Sequence, residues 1–213
     1  MDRSDRGRAL IMAERWIFDG HIAGIGAASG FRAVIGIWHS SPLGAFADVM
    51  VQEATGRRLL LAPSAAVAEF VAATYQFDQV QIVDVDAGLD GGRLTVAAGP
   101  LAIEAGIGTR TVTGIGLRAV PHRLAVHPAW LTAINPLAAL LSPGARTAGT
   151  AGNGRREFYG VTDLHRINDA RVRWDGEDQG ALVPIRPAVT FGFSSVPARP
   201  AVATVRTTIL SGD

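Results

Sequence analysis

The sequence contains neither lysine nor cysteine, and each absence excludes a class of chemistry. All twenty basic residues are arginines, so the chain has no lysine amine for a Schiff base with a carbonyl substrate or with pyridoxal phosphate, and it has no P-loop lysine. Without cysteine it has no thiol nucleophile, no thiolate metal site and no disulfide bond. A reaction catalysed by this chain would therefore depend on other groups.

Acidic residues are missing from a long central segment. No carboxylate occurs between Glu104 and Glu157, whereas six arginines do. The net charge of +1 thus conceals an asymmetry, because residues 1–104 contain eight arginines and twelve acids, whereas residues 105–213 contain twelve arginines and seven acids. Such a segment can face anionic lipid or a phosphate or carboxylate ligand. We do not expect nucleic acid as a partner, because the segment is mostly apolar and lacks a dense basic run.

Length and composition indicate a single domain, 1–213. The chain has 213 residues, of which 48% are hydrophobic, which is enough for one sizeable core. Residues 1–9 are polar and charged, so we expect them to be disordered. The sequence has neither the apolar region of a signal peptide nor an apolar run of roughly eighteen residues that would span a membrane. It therefore predicts a cytoplasmic protein, and a homodimer is compatible with it.

Alternating apolar residues and glycine-rich turns predict a mainly antiparallel β-sheet. Ser64 is a suitable N-cap for one helix over 64–75, whereas the helical spacing of apolar residues over 112–142, interrupted by prolines, predicts two or three short helices. Residues 86–92 are predicted to form a loop. We expect an α+β fold, in which a strongly curved sheet or barrel of about eight to ten strands carries one packed helix and a helical insertion.

The C-terminal part is predicted to consist of further strands. Residues 170–174 and 181–185 are predicted to pair as a hairpin, and 189–193 to form another strand. Several prolines restrict these strands to the edges of the sheet.

The segment 152–166 concentrates most of the polar chemistry of an otherwise apolar chain. If it is extended, Arg155, Glu157 and Tyr159 share one face, whereas Arg156 points to the other. Arg155 or Arg156 is a candidate for a fork that binds a carboxylate or phosphate through two hydrogen bonds. The alternative is a solvated pair, or ion pairs with nearby acids.

Two further residues of the same segment are candidates for acid–base catalysis. Asp163 and His165 are two positions apart, so in a strand the carboxylate can orient the imidazole as a general base, with Tyr159 as a further acid–base group. A purely structural histidine is the alternative. The chain has no serine in a Gly-x-Ser-x-Gly elbow that would act as the nucleophile of these residues.

Other candidates lie outside this segment. Trp38 and His39, at a strand end, are suited to the rim of a pocket, and Asp48 stands alone among apolar residues, so it is either paired with an arginine or raised in pKa. Trp130 lies on an apolar stripe that is either an interfacial element or core. The histidines and Asp48 match no metal-ligand spacing, so we expect neither a metal nor a cofactor.

The whole chain resembles an uncharacterised protein family of high-GC bacteria in the segments 38–42, 47–51 and 154–160. No activity is attached to that family, so the resemblance implies no site. The segment 154–160, Gly-Arg-Arg-Glu-Phe-Tyr-Gly, is also similar to the acetoacetate decarboxylase-like β-barrel group. The decarboxylases of that group use a lysine amine, which this chain lacks, so the resemblance implies a fold and no activity.

Three functions are compatible with these observations. The first is a binding protein for a small apolar or amphipathic molecule with an anionic head, whose tail lies in the barrel and whose head meets Arg155 or Arg156. The second is an acid–base enzyme, a hydrolase, isomerase or cyclase, that uses Asp163, His165 and Tyr159. The third is a peripheral membrane or protein-interaction module that uses the insertion 112–142.

Overall fold

The computed structural model describes residues 14–141, 144–151 and 154–211, so the predicted disorder of residues 1–9 lies outside the described residues. The strands are β1 (Arg15–Ala27), β2 (Arg32–Ser40), β3 (Phe46–Gln52), β4 (Arg58–Ala62), β5 (Gln79–Ile82), β6 (Val85–Asp90), β7 (Arg93–Ala98), β8 (Leu101–Arg110), β9 (Ala148–Thr150), β10 (Arg156–Trp174), β11 (Glu177–Asp178), β12 (Leu182–Val183) and β13 (Ala201–Leu210). The helices are α1 (Ala65–Ala72), α2 (Val112–Arg118), α3 (His122–Ala125) and α4 (Pro128–Leu141).

The strands form one curled sheet. Its main order is β5-β4-β3-β2-β1-β13-β10-β8-β7-β6, while β9 and β11 pair with β10 and β12 pairs with β1. These pairings are antiparallel except for β4 with β5, which are parallel because α1 crosses between them. The sheet curls until β3 contacts β6 near its other end. The predicted α+β class with a curved, barrel-like sheet is therefore confirmed.

The interior of the curl is a packed apolar core. Alternate residues of β1 to β4, such as Ile25 and Leu61, point to the same face as Leu94 and Ile103 of β7 and β8, and these side chains form one buried cluster. The opposite face of β1 to β3, β10 and β13 is covered by α1, the helical insertion and the segment 184–200. The long central strands thus contribute to the core with one face and to this covered region with the other.

The predicted helices are present with adjusted ends. In α1 the Ser64 hydroxyl accepts a hydrogen bond from the Val67 N–H at 3.3 Å, as expected of an N-cap. Val67 and Val71 pack on β4, and the helix ends at Ala72, three residues before the predicted end. The insertion forms three helices, but Pro136 lies within α4 rather than ending it. None of the helices in the described ranges has the length and apolar character needed to cross a bilayer.

Three local predictions were wrong. The predicted loop 86–92 is mostly strand β6, because alternate residues from Val85 to Leu89 pack against the core, and only Gly91 and Gly92 make the turn, both with positive φ. Residues 181–185 do not pair with 170–174; their strand β12 pairs with β1 instead. Residues 189–193 are irregular: Val189 and Phe191 pack in a cluster with Val34 of β2 and with Tyr75 and Phe77, which follow α1.

Candidate functional site

A large cavity lies on the second face of the sheet. Its volume is about 1080 Å³, which is at the upper end of the range of roughly 300–1,000 Å³ that is usual for small-molecule sites. Most of its lining is apolar and comes from the central strands, α1 and the helical insertion. Examples are Phe18, Ile22, Met50, Val71 and Ile134. The cavity can therefore bury a sizeable apolar group.

Four arginines line this cavity: Arg146, Arg166, Arg186 and Arg199. Each is solvent-exposed, so they lie at the mouth. Among the described residues no carboxylate forms an ion pair with any of them, in contrast to Arg110 or Arg206, for example. Their guanidinium groups therefore give the mouth a positive charge that the protein does not neutralise there.

Three of these arginines are held close together by the backbone. The N–H of Ile185, next to Arg186, donates to the carbonyl of Ala198, next to Arg199, at 2.7 Å. Arg166 lies directly opposite Ala201 in the pairing of β10 with β13. We call Arg166, Arg186 and Arg199 the arginine cluster. It lies at one end of the cavity, where the Ile167 N–H of β10 donates to the carbonyl of Pro200 at 3.1 Å.

Asp48 is the carboxyl group among the described residues that lines the cavity directly. It is 3% exposed and accepts a hydrogen bond from the Trp38 indole N–H at 3.0 Å. Burial raises the pKa of Asp48 to about 7, although the hydrogen bond from Trp38 opposes the rise. Gly36 leaves the space for this pair, because a Cβ there would lie 2.5 Å from an Asp48 oxygen. Below pH 7 Asp48 therefore adds little negative charge to the cavity.

A second buried carboxyl group, Glu157, lies behind the cavity wall. Its side chain is 0% exposed and contacts the hydroxyls of Tyr75, at 3.0 and 3.2 Å, and Tyr159, at 3.0 Å. The two hydroxyls are themselves 2.6 Å apart. Both tyrosines line the cavity. Burial raises the pKa of Glu157 to about 7, and burial and the neighbouring glutamate raise the pKa of both tyrosines well above their usual value.

The structure places the two arginines predicted to bind an anion away from the cavity lining. Arg155 shares a face with Glu157 and Tyr159, but its guanidinium stacks on the rings of Trp16 and Phe70 and donates to the Thr74 hydroxyl at 2.8 Å. Arg156 is exposed and lies over the Phe158 ring. Both guanidinium groups thus pack against aromatic rings of the protein itself.

The three predicted acid–base residues are divided between two places. Tyr159 lines the cavity, whereas Asp163 and His165 lie on the other side of β10. The guanidinium of Arg110 donates to Asp163 at 2.7 and 2.9 Å and, with a smaller contribution from Arg118, holds the pKa of Asp163 at about 2. The His165 ring lies 3.7 Å from Asp163 and 3.2 Å from the carbonyl of Gly108. Asp163 is thus an ion-pair partner that is fully charged at neutral pH.

The remaining predicted residues lie in two pockets. Trp38 and Trp130 line the large cavity, whereas His39 lines a smaller pocket of about 210 Å³ with His21 and His122. The rings of His21 and His39 are 4.9 Å apart, and burial and the neighbouring His39 lower the pKa of His21. In the described ranges no three histidine, aspartate or glutamate side chains are placed to bind one metal ion.

Sequence reasoning missed the arginine cluster, Tyr75 and the role of Glu157. Alternation in the segment 155–159 does place Glu157 on the same face as Tyr159, and this signal was available. Tyr75 is 82 residues from Glu157, and nothing local links the two. The arginine cluster is assembled by strand pairing and by the course of 184–200, so its members are not neighbours in the sequence.

No protein-family profile matches this chain, and no curated protein matches it at a significant level. Among solved structures it is similar to an acetoacetate decarboxylase from Legionella pneumophila, with a TM-score of 0.46 and 8% identity over 94% of this chain and 86% of that chain. It is also similar to a second acetoacetate decarboxylase structure, with a TM-score of 0.43 and 10% identity over 92% and 87% of the two chains. Neither similarity carries information about a reaction.

Proposed function

We propose that the protein binds a small amphipathic molecule with an anionic head. The observation that carries this proposal is the apolar cavity of about 1080 Å³ with the unpaired arginine cluster at one end. The cluster takes the place that the sequence had assigned to Arg155 or Arg156. The ligand's apolar part lies along β1, β13 and α1, and its carboxylate or phosphate meets the guanidinium groups at the mouth.

The two parts of the site make different contributions to affinity. Apolar burial provides roughly 25 cal/mol for each Å² of ligand surface removed from water, independent of the head. A hydrogen bond to a charged group adds about 1.5–3 kcal/mol. Because about 1.4 kcal/mol corresponds to a tenfold change in affinity, the head decides which of two ligands with equal tails is preferred.

A pair of ligands that differ only in the head tests the proposal. Dodecanoate and dodecanol have the same tail length, and their binding can be followed by calorimetry and by the fluorescence of Trp38 and Trp130, which line the cavity. We expect dodecanoate to bind at least about tenfold more tightly. The preference should weaken at high salt, because the arginines are exposed.

Matched arginine variants locate the head. Arg186→Gln and Arg199→Gln should each lower the affinity for dodecanoate several-fold and leave that for dodecanol unchanged. Arg156→Gln is the control, because Arg156 is equally exposed but does not line the cavity. Equal affinities for the two ligands, or a larger loss with Arg156→Gln than with the cluster variants, would contradict the proposal.

A second candidate function is contact with a membrane surface through the helical insertion. The insertion exposes Val112 at 80%, Ile115 at 62% and Leu140 at 77%, and no acidic residue occurs in it. Exposed apolar side chains among cations are typical of an interfacial element. Ile115→Ser and Leu140→Ser should then reduce co-sedimentation with anionic vesicles, whereas Val80→Ser, an exposed apolar residue on β5, should not. Equal sedimentation of all variants would exclude this function.

A further inference from the structure

The cluster of Tyr75, Glu157 and Tyr159 contains more oxygen contacts than its tyrosine hydrogens can satisfy. Three contacts join the three side chains: each tyrosine with the carboxyl group at 3.0 Å, and the two hydroxyls with each other at 2.6 Å. Each contact of this length needs a hydrogen between the oxygens. The tyrosines supply two, and an ionised carboxylate supplies none. Glu157 can supply the third hydrogen, so all three contacts are satisfied when Glu157 is a neutral acid.

This proton has one route to the cavity. Glu157 is 0% exposed and does not line the cavity, whereas both tyrosines do. The three side chains can form a closed ring of hydrogen bonds. Tyr75 donates to Tyr159, Tyr159 donates to the carboxyl group, and the carboxyl group donates to Tyr75, so that every hydrogen is used. A ligand oxygen that accepts a hydrogen bond from a tyrosine opens this ring and becomes connected to the acid behind it.

A neighbouring group shows that a polar partner is missing at this place. Thr207 lies directly opposite Tyr159 in the pairing of β10 with β13, is 3% exposed and lines the same cavity. Its hydroxyl has no hydrogen-bond partner within the described residues. A buried hydroxyl without a partner is destabilising, and a ligand oxygen beside Tyr159 would relieve that cost.

We propose that Tyr75, Tyr159 and Glu157 form an acid-backed binding site for an enol, phenol or carbonyl oxygen of the ligand, with which Glu157 exchanges one proton. The proposal rests on the proposed function, because it concerns the same cavity. Thr207 is six residues along β13 from Ala201 at the arginine cluster, which corresponds to roughly 20 Å of strand. The ligand class is therefore an elongated amphiphile with an anionic head at one end and this oxygen towards the other.

The proton step conserves atoms and charge. Tyr159 gives its proton to a bound oxyanion, Tyr75 gives its proton to Tyr159, and Glu157 gives its own proton to Tyr75. One O–H bond of Glu157 breaks and one O–H bond of the ligand forms, so the negative charge moves from the ligand to the glutamate. The resulting carboxylate accepts a hydrogen bond from Tyr75, and Tyr75 accepts one from Tyr159. Because burial brings the pKa of Glu157 to about 7, near the pKa of acidic enols and acidic phenols, the step is close to balanced for ligands of these classes.

The test uses 4-nitrophenol, with 4-nitrotoluene as the matched compound that lacks the oxygen. At pH 8 the wild-type protein should bind the nitrophenolate at least about tenfold more tightly than nitrotoluene. At pH 8, above the pKa of about 7, Glu157 is mostly ionised in the free protein, and the arriving anion favours its neutral form, so binding should be accompanied by uptake of about one proton. The uptake is measured by calorimetry in buffers that differ in ionisation enthalpy.

Three variants assign the effect to the cluster. Tyr159→Phe and Tyr75→Phe should lower the affinity for nitrophenolate about tenfold and leave that for nitrotoluene unchanged. Glu157→Gln retains the hydrogen bonds but holds no exchangeable proton, so its proton uptake should be near zero. If the glutamine variant does not fold, the two phenylalanine variants still decide the question.

Two results would overturn the inference: equal affinity of the wild type for nitrophenolate and nitrotoluene, or the same proton uptake in Glu157→Gln as in the wild type. A different result would show that the proposed function is wrong: the protein would then bind dodecanoate no more tightly than dodecanol. Dodecanoate preference without nitrophenolate preference would therefore exclude the acid-backed site alone.

Discussion

The buried acid Glu157 should make the stability of the protein depend on pH in a defined direction. Its pKa is about 7 in the folded protein, against 4.5 for an unperturbed glutamate. Over that interval the folded state binds more protons than the unfolded state, so the free energy of unfolding falls as the pH rises from about 4.5 to about 7, and it is level above. One unit corresponds to 1.36 kcal/mol, so the contribution of Glu157 is about 3 kcal/mol.

Replacing Glu157 by glutamine isolates this contribution. Glutamine resembles the protonated acid in shape and can both donate to and accept from the two tyrosines. Urea unfolding of the wild type and of Glu157→Gln at pH 5 and pH 8, followed by tryptophan fluorescence, gives the two free energies at each pH. We expect the variant to gain on the wild type by about 2.5 kcal/mol between these pH values, because pH 5 already lies above the unfolded pKa of 4.5.

Other titrating groups cancel in this comparison, because they are common to both proteins. Glu177→Gln is the control, since Glu177 is exposed on β11, and its difference from the wild type should be the same at both pH values. If the wild type and Glu157→Gln showed the same change in stability from pH 5 to pH 8, the neutral acid in the tyrosine cluster would be refuted.

The remaining predictions concern other contacts. Arg110→Ala should lower the free energy of unfolding at pH 7, because it leaves the charge of Asp163 poorly compensated, and the loss should shrink as the pH falls towards 2, where Asp163 becomes protonated. Acid titration of both proteins by circular dichroism measures this, and a loss that is constant with pH would contradict it. The pKa of Asp48 in the folded protein is raised to about 7, so the free energy of unfolding of the wild type should fall further between about pH 4 and pH 7. Asp48→Asn should lack this part of the fall, and urea unfolding of both proteins at the two pH limits checks it. Gly36→Ala should destabilise the protein by about 1–3 kcal/mol in thermal unfolding, because the new Cβ would lie within 2.7 Å of both Asp48 and Trp38. An unchanged melting temperature would show that these two side chains move without cost.

The sheet and the helices could be predicted because their signals are local. Alternation over β1 to β4, the Ser64 cap and the helical spacing after 112 each depend on a few adjacent residues, and tertiary packing agrees with them. The errors arose where packing overruled local signals. Glycines and aspartates near residue 88 indicated a loop, yet alternate side chains of this segment pack on the core and keep it in a strand.

The site was harder to predict because long-range pairing assembles it. The sequence indicated an apolar molecule with an anionic head, and it named Trp38, Asp48, Tyr159 and Trp130, which all line the cavity. It assigned the anion to Arg155 and Arg156 because these stand in an acid-free segment. No local pattern shows that Trp16 and Phe70 take up the guanidinium of Arg155, or that arginines from two distant segments meet at the mouth.

A crystal structure of the complex with 12-bromododecanoate tests the central claim most directly. Anomalous scattering locates the bromine, which marks the end of the tail, and the carboxylate is seen in the same map. We predict the carboxylate within hydrogen-bond distance of at least one guanidinium of the arginine cluster, and the bromine among the apolar side chains of β1 and α1. A bromine on the outer surface, or a carboxylate far from Arg166, Arg186 and Arg199, would contradict the claim.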